Sequence, residues 1–218
     1  MIILGIDPGT ASLGYGLVET GPPLRALDYG VITTEPDRTL PERLKTIYLA
    51  LNGLIELHAP TLVGVERLFF SRNVQTAFGV GHARGVVLLA AAQHNLEVRE
   101  ATPNEVKVAT AGHGSAAKEQ VQRMVQVILG LGEVPQPDDA ADALAIAICV
   151  AHREHSVGRM QTGALDRSAI EPAATGSTPY EKAVRQALAR EARRDGIAAR
   201  PTHAAKPGTG SQDAEGRP

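Results

Sequence analysis

The sequence predicts an α/β fold, a five-stranded mixed sheet flanked by helices. Two observations predict it. Short apolar runs of strand character alternate along the chain with longer stretches of helical periodicity. The first three strand-like runs follow one another with only turn-rich links, whereas the last two each come after a helix-length segment. That order describes an antiparallel triplet extended by two parallel strands.

Residues 2–6, Ile2-Ile3-Leu4-Gly5-Ile6, form a buried-strand run. Residues 13–19 alternate and can pair with it. Residues 25–33 form a third strand after Thr20-Gly21-Pro22-Pro23, a turn-rich link of hairpin type. Apolar residues at Leu40, Leu44, Ile47, Leu51, Leu54 and Ile55 predict a helix over 40–58. Residues 62–65 are the next strand, ending at Glu66. Residues 74–94 read as a long helix, rich in Gly and Ala in its first half, and 97–101 as a short strand. Thr102-Pro103-Asn104-Glu105 is a helix start, with Pro early and Glu in the first turn. Residues 117–129 and 139–152 complete the set as two further helices. This element order is that of the ribonuclease H-like fold.

The chain divides near residue 152. Residues 1–152 form the folded domain, with continuous apolar periodicity. Residues 153–218 turn to Ala, Gly, Thr, Pro and Arg and read as a largely disordered tail with a candidate helix over 180–194. Lys and Arg number 11 against 16 Asp and Glu in residues 1–152, a net of −5, and 11 against 8 in the tail, a net of +3. Nucleic-acid binders usually show a basic face, so the placement of the acids matters more than their sum. A single cysteine, Cys149, excludes an internal disulfide framework and fits the cytoplasm. No apolar run is long enough to span a membrane, and no signal peptide is expected at the start.

Four acids stand where carboxylates are costly. Asp7 follows the first strand directly and Glu66 the fourth. Asp139 and Asp142 lie one helical turn apart, ahead of Ala143-Leu144-Ala145-Ile146-Ala147-Ile148, and share a helix face. If the first and fourth strands are neighbours, Asp7 and Glu66 meet at the carboxyl edge of the sheet, where ligand sites gather in such folds. Clustered like charges demand protons or cations. Hard oxygen donors select Mg²⁺ or Mn²⁺, and two such ions can clamp the attacking water and the leaving oxygen of a phosphodiester. Each acid alone also has a plainer role. Asp7-Pro8-Gly9 is good turn chemistry, Glu66 can pair with Arg67 or Arg72, and Asp138, Asp139 and Asp142 can cap a helix. The metal reading rests on their occurring together.

Ile3-Leu4-Gly5-Ile6-Asp7-Pro8-Gly9-Thr10, followed by Gly14-Tyr15-Gly16, resembles the opening of the RuvC family. The same holds for Val65-Glu66 with Phe69 and Asn73, for Gly85-Val86, for Ser115-Ala116-Ala117-Lys118-Glu119-Gln120-Val121, and for Asp139-Ala140-Ala141-Asp142-Ala143-Leu144-Ala145. The resemblance runs from residue 1 to about 152 and is silent on the tail. It implies a ribonuclease H-like fold, a homodimer, divalent metal (two ions per subunit), paired nicks across a Holliday junction, and cooperation with the RuvA and RuvB branch-migration proteins. Carried over by position, it implies that Asp7, Glu66, Asp139 and Asp142 are catalytic metal ligands. Lys107 and Lys118 then lie near the scissile phosphate, and Phe69 touches bases at the junction centre. Arg72, in the same short segment as Phe69, is a further candidate DNA contact. The family spacing Asp-x-x-Asp selects Asp139 over Asp138, leaving Asp138 as the helix cap.

Ala77, Gly79, Gly81, Ala83 and Gly85 are expected to permit close approach of a second subunit at one face of the long helix. His82, His94 and His113 show no ligand spacing, and Cys149 reads as inert core. Three other functional readings compete. Asp7-Pro8-Gly9-Thr10 also resembles the first phosphate motif of actin-like ATPases, which need a second such domain. The other two are a nuclease acting on RNA and a non-catalytic scaffold, since fold alone does not decide function.

Overall fold

A computed structural model describes residues 1–67 and 74–161. The expected positions of Phe69 and Arg72, and the tail helix over 180–194, lie outside the described residues. The elements are β1 (Ile2–Asp7), β2 (Ser12–Glu19), β3 (Arg25–Thr33), α1 (Leu40–His58), β4 (Leu62–Glu66), α2 (Val74–Gln93), β5 (Glu97–Ala101), α3 (Pro103–Ala111), α4 (Lys118–Leu129) and α5 (Asp138–Gln161). The strands form one sheet in the order β3-β2-β1-β4-β5, antiparallel among the first three and parallel from β1 through β4 to β5. The antiparallel triplet extended by two parallel strands is as expected from the sequence, and β1 and β4 prove to be neighbours, the condition for Asp7 and Glu66 to meet.

Strand alternation separates two cores. Leu4 and Ile6 of β1 and Val63 of β4 pack with Ile47, Leu51 and Ile55 of α1 and Val87 of α2. Ile3 and Leu62, one residue out of phase, pack on the other face with α4 and α5. α5 is apolar on all sides from Ala143 to Ala151 and is buried accordingly, between the sheet and α3 and α4. It runs to Gln161, nine residues past the expected boundary at 152.

Glycines let α5 lie directly on the strands. Gly5 pairs in register with Gly16 on one side and Gly64 on the other, and Gly14 pairs with Asp7. A Cβ at Gly5 would stand 2.1 Å from the Ala143 carbonyl oxygen, and one at Gly14 would stand 2.0 Å from that of Asp139. At Gly16 and Gly64 it would meet side chains of the same helix at 2.8 Å (Leu144) and 2.9 Å (Val150).

α3 begins as predicted. Thr102 caps it, accepting from the Glu105 N–H at 3.2 Å while Glu105 accepts from the Thr102 N–H at 2.8 Å. Asp138 does not cap α5. It is the first helical residue, and the Pro137 carbonyl takes the opening bonds from the N–H groups of Ala140 and Ala141.

The small residues of α2 do not share one face either, because a step of two residues turns a helix by about 200°. Ala83 is buried, and a Cβ at Gly79 would meet the Thr10 side chain, whereas Gly81 and Gly85 look onto open space.

Candidate active site

Asp7 ends β1 in phase with Ile3 and Gly5, and Glu66 ends β4 in phase with Leu62 and Gly64, so both belong to the face that α5 covers. The helix approaches closest where the backbone of Asp139 meets Gly14, the register partner of Asp7. The i, i+3 step then sets Asp142 beside Asp139. One carboxylate oxygen from each of Asp7, Asp139 and Asp142 lies within 4.8 Å of the others, and all three residues are half-buried. Glu66 stands outside that tight group and lines the same cavity, of about 230 Å³, together with Asp7, Asp142, Lys107 and Lys118. Pro103, Val106, Val121 and Ile146 form its apolar wall.

Lys118, the first residue of α4, reaches the acids. Its Nζ lies 3.0 Å from Asp142 and 3.3 Å from Asp138. Lys107 on α3 lines the same cavity. Asp138 thus belongs to the surroundings of Lys118, a role the sequence did not suggest. Its only signal was its place beside Asp139. The pairing of Glu66 with Arg67 does not occur, since Arg67 bonds Glu100 at 2.9 Å.

The electrostatics are those of crowded carboxylates offset in part by Lys118. Burial, then the charges of Asp142, Glu66 and Asp139, push the Asp7 carboxyl up to about 7, with Lys118 opposing. Burial followed by Asp142 raises Glu66. Burial also raises Asp142, against the hydrogen bond and charge of Lys118. For Lys118 burial disfavours the charged amine, yet the bonds and charges of Asp142 and Asp138 outweigh it and the pKa rises.

This donor set fits a hard divalent cation. It consists of carboxylate oxygens alone, converging and repelling one another, with no His or Cys in the group. Asp7, Asp139 and Asp142 would hold such an ion, with Glu66 beside them in the same cavity. Cys149, by contrast, is buried core, its thiol pushed up to about 11 by burial.

The family described as crossover junction endodeoxyribonuclease RuvC matches residues 3–150. The chain belongs to the RuvC family. Members of that family are metal-dependent nucleases acting on DNA. The crossover junction endodeoxyribonuclease RuvC of Alkaliphilus oremlandii is 56% identical over 153 residues, which cover 70% of this chain and 93% of that protein. The namesake protein of Heliobacterium modesticaldum is 56% identical over 153 residues, covering 70% of this chain and 94% of that one. Among solved structures, Thermus thermophilus RuvC in complex with a Holliday junction substrate is 41% identical, with a TM-score of 0.67, covering 74% of this chain and 97% of that one. The yeast mitochondrial Holliday junction resolvase Ydc2 shares the fold at 16% identity and a TM-score of 0.54, covering 73% of this chain and 83% of that one. Membership in the RuvC family sets aside the ATPase reading of the Asp7-Pro8-Gly9-Thr10 turn and the RNA-directed one.

Proposed function

We propose that this chain resolves four-way DNA junctions. As a homodimer it nicks two symmetric strands across the junction by metal-dependent phosphodiester hydrolysis. The convergence of Asp7, Asp139 and Asp142 within 4.8 Å, beside Lys118, carries the reading. In this reading those three residues and Glu66 hold Mg²⁺ or Mn²⁺, two ions per subunit. When bound, the metal supplies Lewis acidity toward a phosphodiester oxygen and makes a nearby water more acidic.

The remaining work falls to the chain's own groups. Lys118 and Lys107, both lining the cavity, offset the charge that develops on the phosphate. Pro103, Val106, Val121 and Ile146 keep bulk water from one side of the reacting group, which strengthens those interactions. Phe69 stacks on a base at the junction centre and Arg72 contacts the DNA nearby.

A C₂ dimer matches the two strands to be cut. Phe78 and Leu89 of α2, 65% and 53% exposed, flank the open positions Gly81 and Gly85 and offer an apolar surface for the second subunit. RuvA and RuvB deliver the junction, and the work takes place in the cytoplasm. Among the described residues no helix is long and apolar enough to cross a membrane.

The test is cleavage of a synthetic four-way junction beside matched duplex and fork DNA, with and without Mg²⁺ or Mn²⁺. Paired nicks on the junction alone, dependent on metal, are expected. Equal cutting of duplex, or cutting in EDTA, overturns the reading.

A further inference from the structure

Outside the acid cluster, a half-buried cation is tied to the strand end that carries Glu66. Arg84 lies on α2, which packs on the sheet face opposite α5, and its side chain is only 14% exposed. Its Nη1 donates to the main-chain carbonyl of Glu66 at 3.0 Å, and its Nη2 pairs with the Glu100 carboxylate on β5. The N–H of Arg67, the next residue, donates to the Ala101 carbonyl at 2.8 Å. The peptide group that follows Glu66 is therefore gripped at both ends, its C=O by Arg84 and its N–H by β5. Glu100 is anchored in turn. Arg67 bonds its carboxylate at 2.9 Å, and Arg153 donates to its carbonyl at 2.7 Å. The hydrogen bond from Arg67, with the charges of Arg84 and Arg67, holds the Glu100 carboxyl below the usual range, so it stays an anionic anchor.

We propose that Arg84 is a positioning residue, fixing the end of β4 from α2 so that the Glu66 carboxylate faces Asp7 and Asp142. The inference rests on the reading of Glu66 as part of the metal-binding set. The grip matters because Glu66 shares a half-buried cavity with like charges, and a strand end free to shift would carry the base of its side chain away from them. The β1–β4 pairing ends at Ile6 and Val65, so β1 does not restrain the Glu66 peptide. A planar guanidinium can serve the carbonyl and the carboxylate together, whereas an ammonium is a point charge on a flexible stem. The same grip ties the helix bearing the exposed residues Phe78 and Leu89 to the acid cluster.

The test measures Mn²⁺ affinity by calorimetry, without DNA, on the full chain and on Arg84→Lys, Glu66→Gln and the double variant. Arg84→Lys is expected to weaken Mn²⁺ binding about tenfold or more, the usual scale for groups supporting a metal ligand. Its thermal midpoint in EDTA should stay within a few degrees of wild type. Glu66→Gln should also weaken Mn²⁺ binding, and Arg84→Lys should add nothing to it. Glu100→Gln, which leaves Arg84 in place without its counter-charge, should shift affinity in the same direction and guards against a folding defect in Arg84→Lys. Wild-type Mn²⁺ affinity in Arg84→Lys and Glu100→Gln, beside weakened Glu66→Gln, overturns the role of Arg84 alone. A further tenfold loss from Arg84→Lys in the Glu66→Gln background shows that Arg84 does not act through Glu66 and also overturns it. Wild-type affinity in Glu66→Gln overturns the ligand reading of Glu66, and this inference with it.

Discussion

Asp7→Asn should raise the stability of the metal-free protein at high pH while abolishing cleavage. The Asp7 carboxyl titrates near 7 in the folded chain against an ordinary value of 3.8. A raised carboxyl pKa means that the native state holds its proton where the unfolded state has lost it. The group therefore contributes stability at low pH that is lost as pH rises through about 7. The full window, 7 less 3.8, corresponds to about 4 kcal/mol, and the part falling between pH 5 and pH 8 to about 3 kcal/mol. Asparagine has no such titration. Urea unfolding in EDTA should thus show Asp7→Asn gaining on wild type by up to about 3 kcal/mol between pH 5 and pH 8. The sign rests on desolvation, the largest cause of the shift, so relaxation of Glu66 and Asp142 trims the gain without reversing it. Saturating Mn²⁺ should stabilise wild type far more than the variant, since only wild type keeps the full ligand charge. Junction affinity should survive, because Lys and Arg contacts to phosphate are untouched. Parallel pH–stability curves for the two proteins would refute the desolvated-cluster argument, and near-wild-type cutting by Asp7→Asn would refute the metal site.

The other expectations concern packing, catalysis and assembly. Gly14→Ala should cost about 2–4 kcal/mol in urea unfolding, because its Cβ would lie 2.0 Å from the Asp139 carbonyl oxygen and must push α5 off the sheet; a cost under about 1 kcal/mol contradicts the close approach. Lys118→Ala should slow single-turnover cleavage roughly a hundredfold with little change in thermal midpoint, since its ion pairs are half exposed. Weaker binding at an unchanged rate would make it a docking contact instead. Sedimentation should show a dimer at micromolar concentration and a monomer for Leu89→Asp, on the exposed side of α2. A wild-type monomer with and without DNA would count against paired nicking. Truncation after Gln161 should leave metal-dependent nicking intact and flatten the dependence of log K on log salt for junction binding, given the positive balance of the tail. Equal slopes would remove the tail from DNA contact.

Legible in the sequence were the order of strands and helices, an antiparallel triplet extended by two parallel strands, most of the helix starts, and four acids placed at strand ends and a helix start. Those features are written in local chemistry: apolar runs of period two or 3.6, the Thr102–Glu105 cap, and carboxylates at strand ends and one helical turn apart. Which groups meet was settled by packing between elements. Asp7, Asp139 and Asp142 converge while Glu66 stands outside their tight group, because the closest approach of α5 falls over Gly14 rather than over β4. Gly5, Gly14, Gly16 and Gly64 are separate in sequence and become neighbours only through strand register. The change at Asp138 from expected cap to Lys118 partner arises from the start of α5 at Asp138 itself, beside the N-terminus of α4. Arg84 carried no signal at all, since its two partners, the Glu66 carbonyl and Glu100, come from two different strands. Periodicity reports which face of an element is apolar, but contacts between elements depend on how close their backbones can come. That distance is decided by the absence of side chains, which no pattern of polar and apolar residues records.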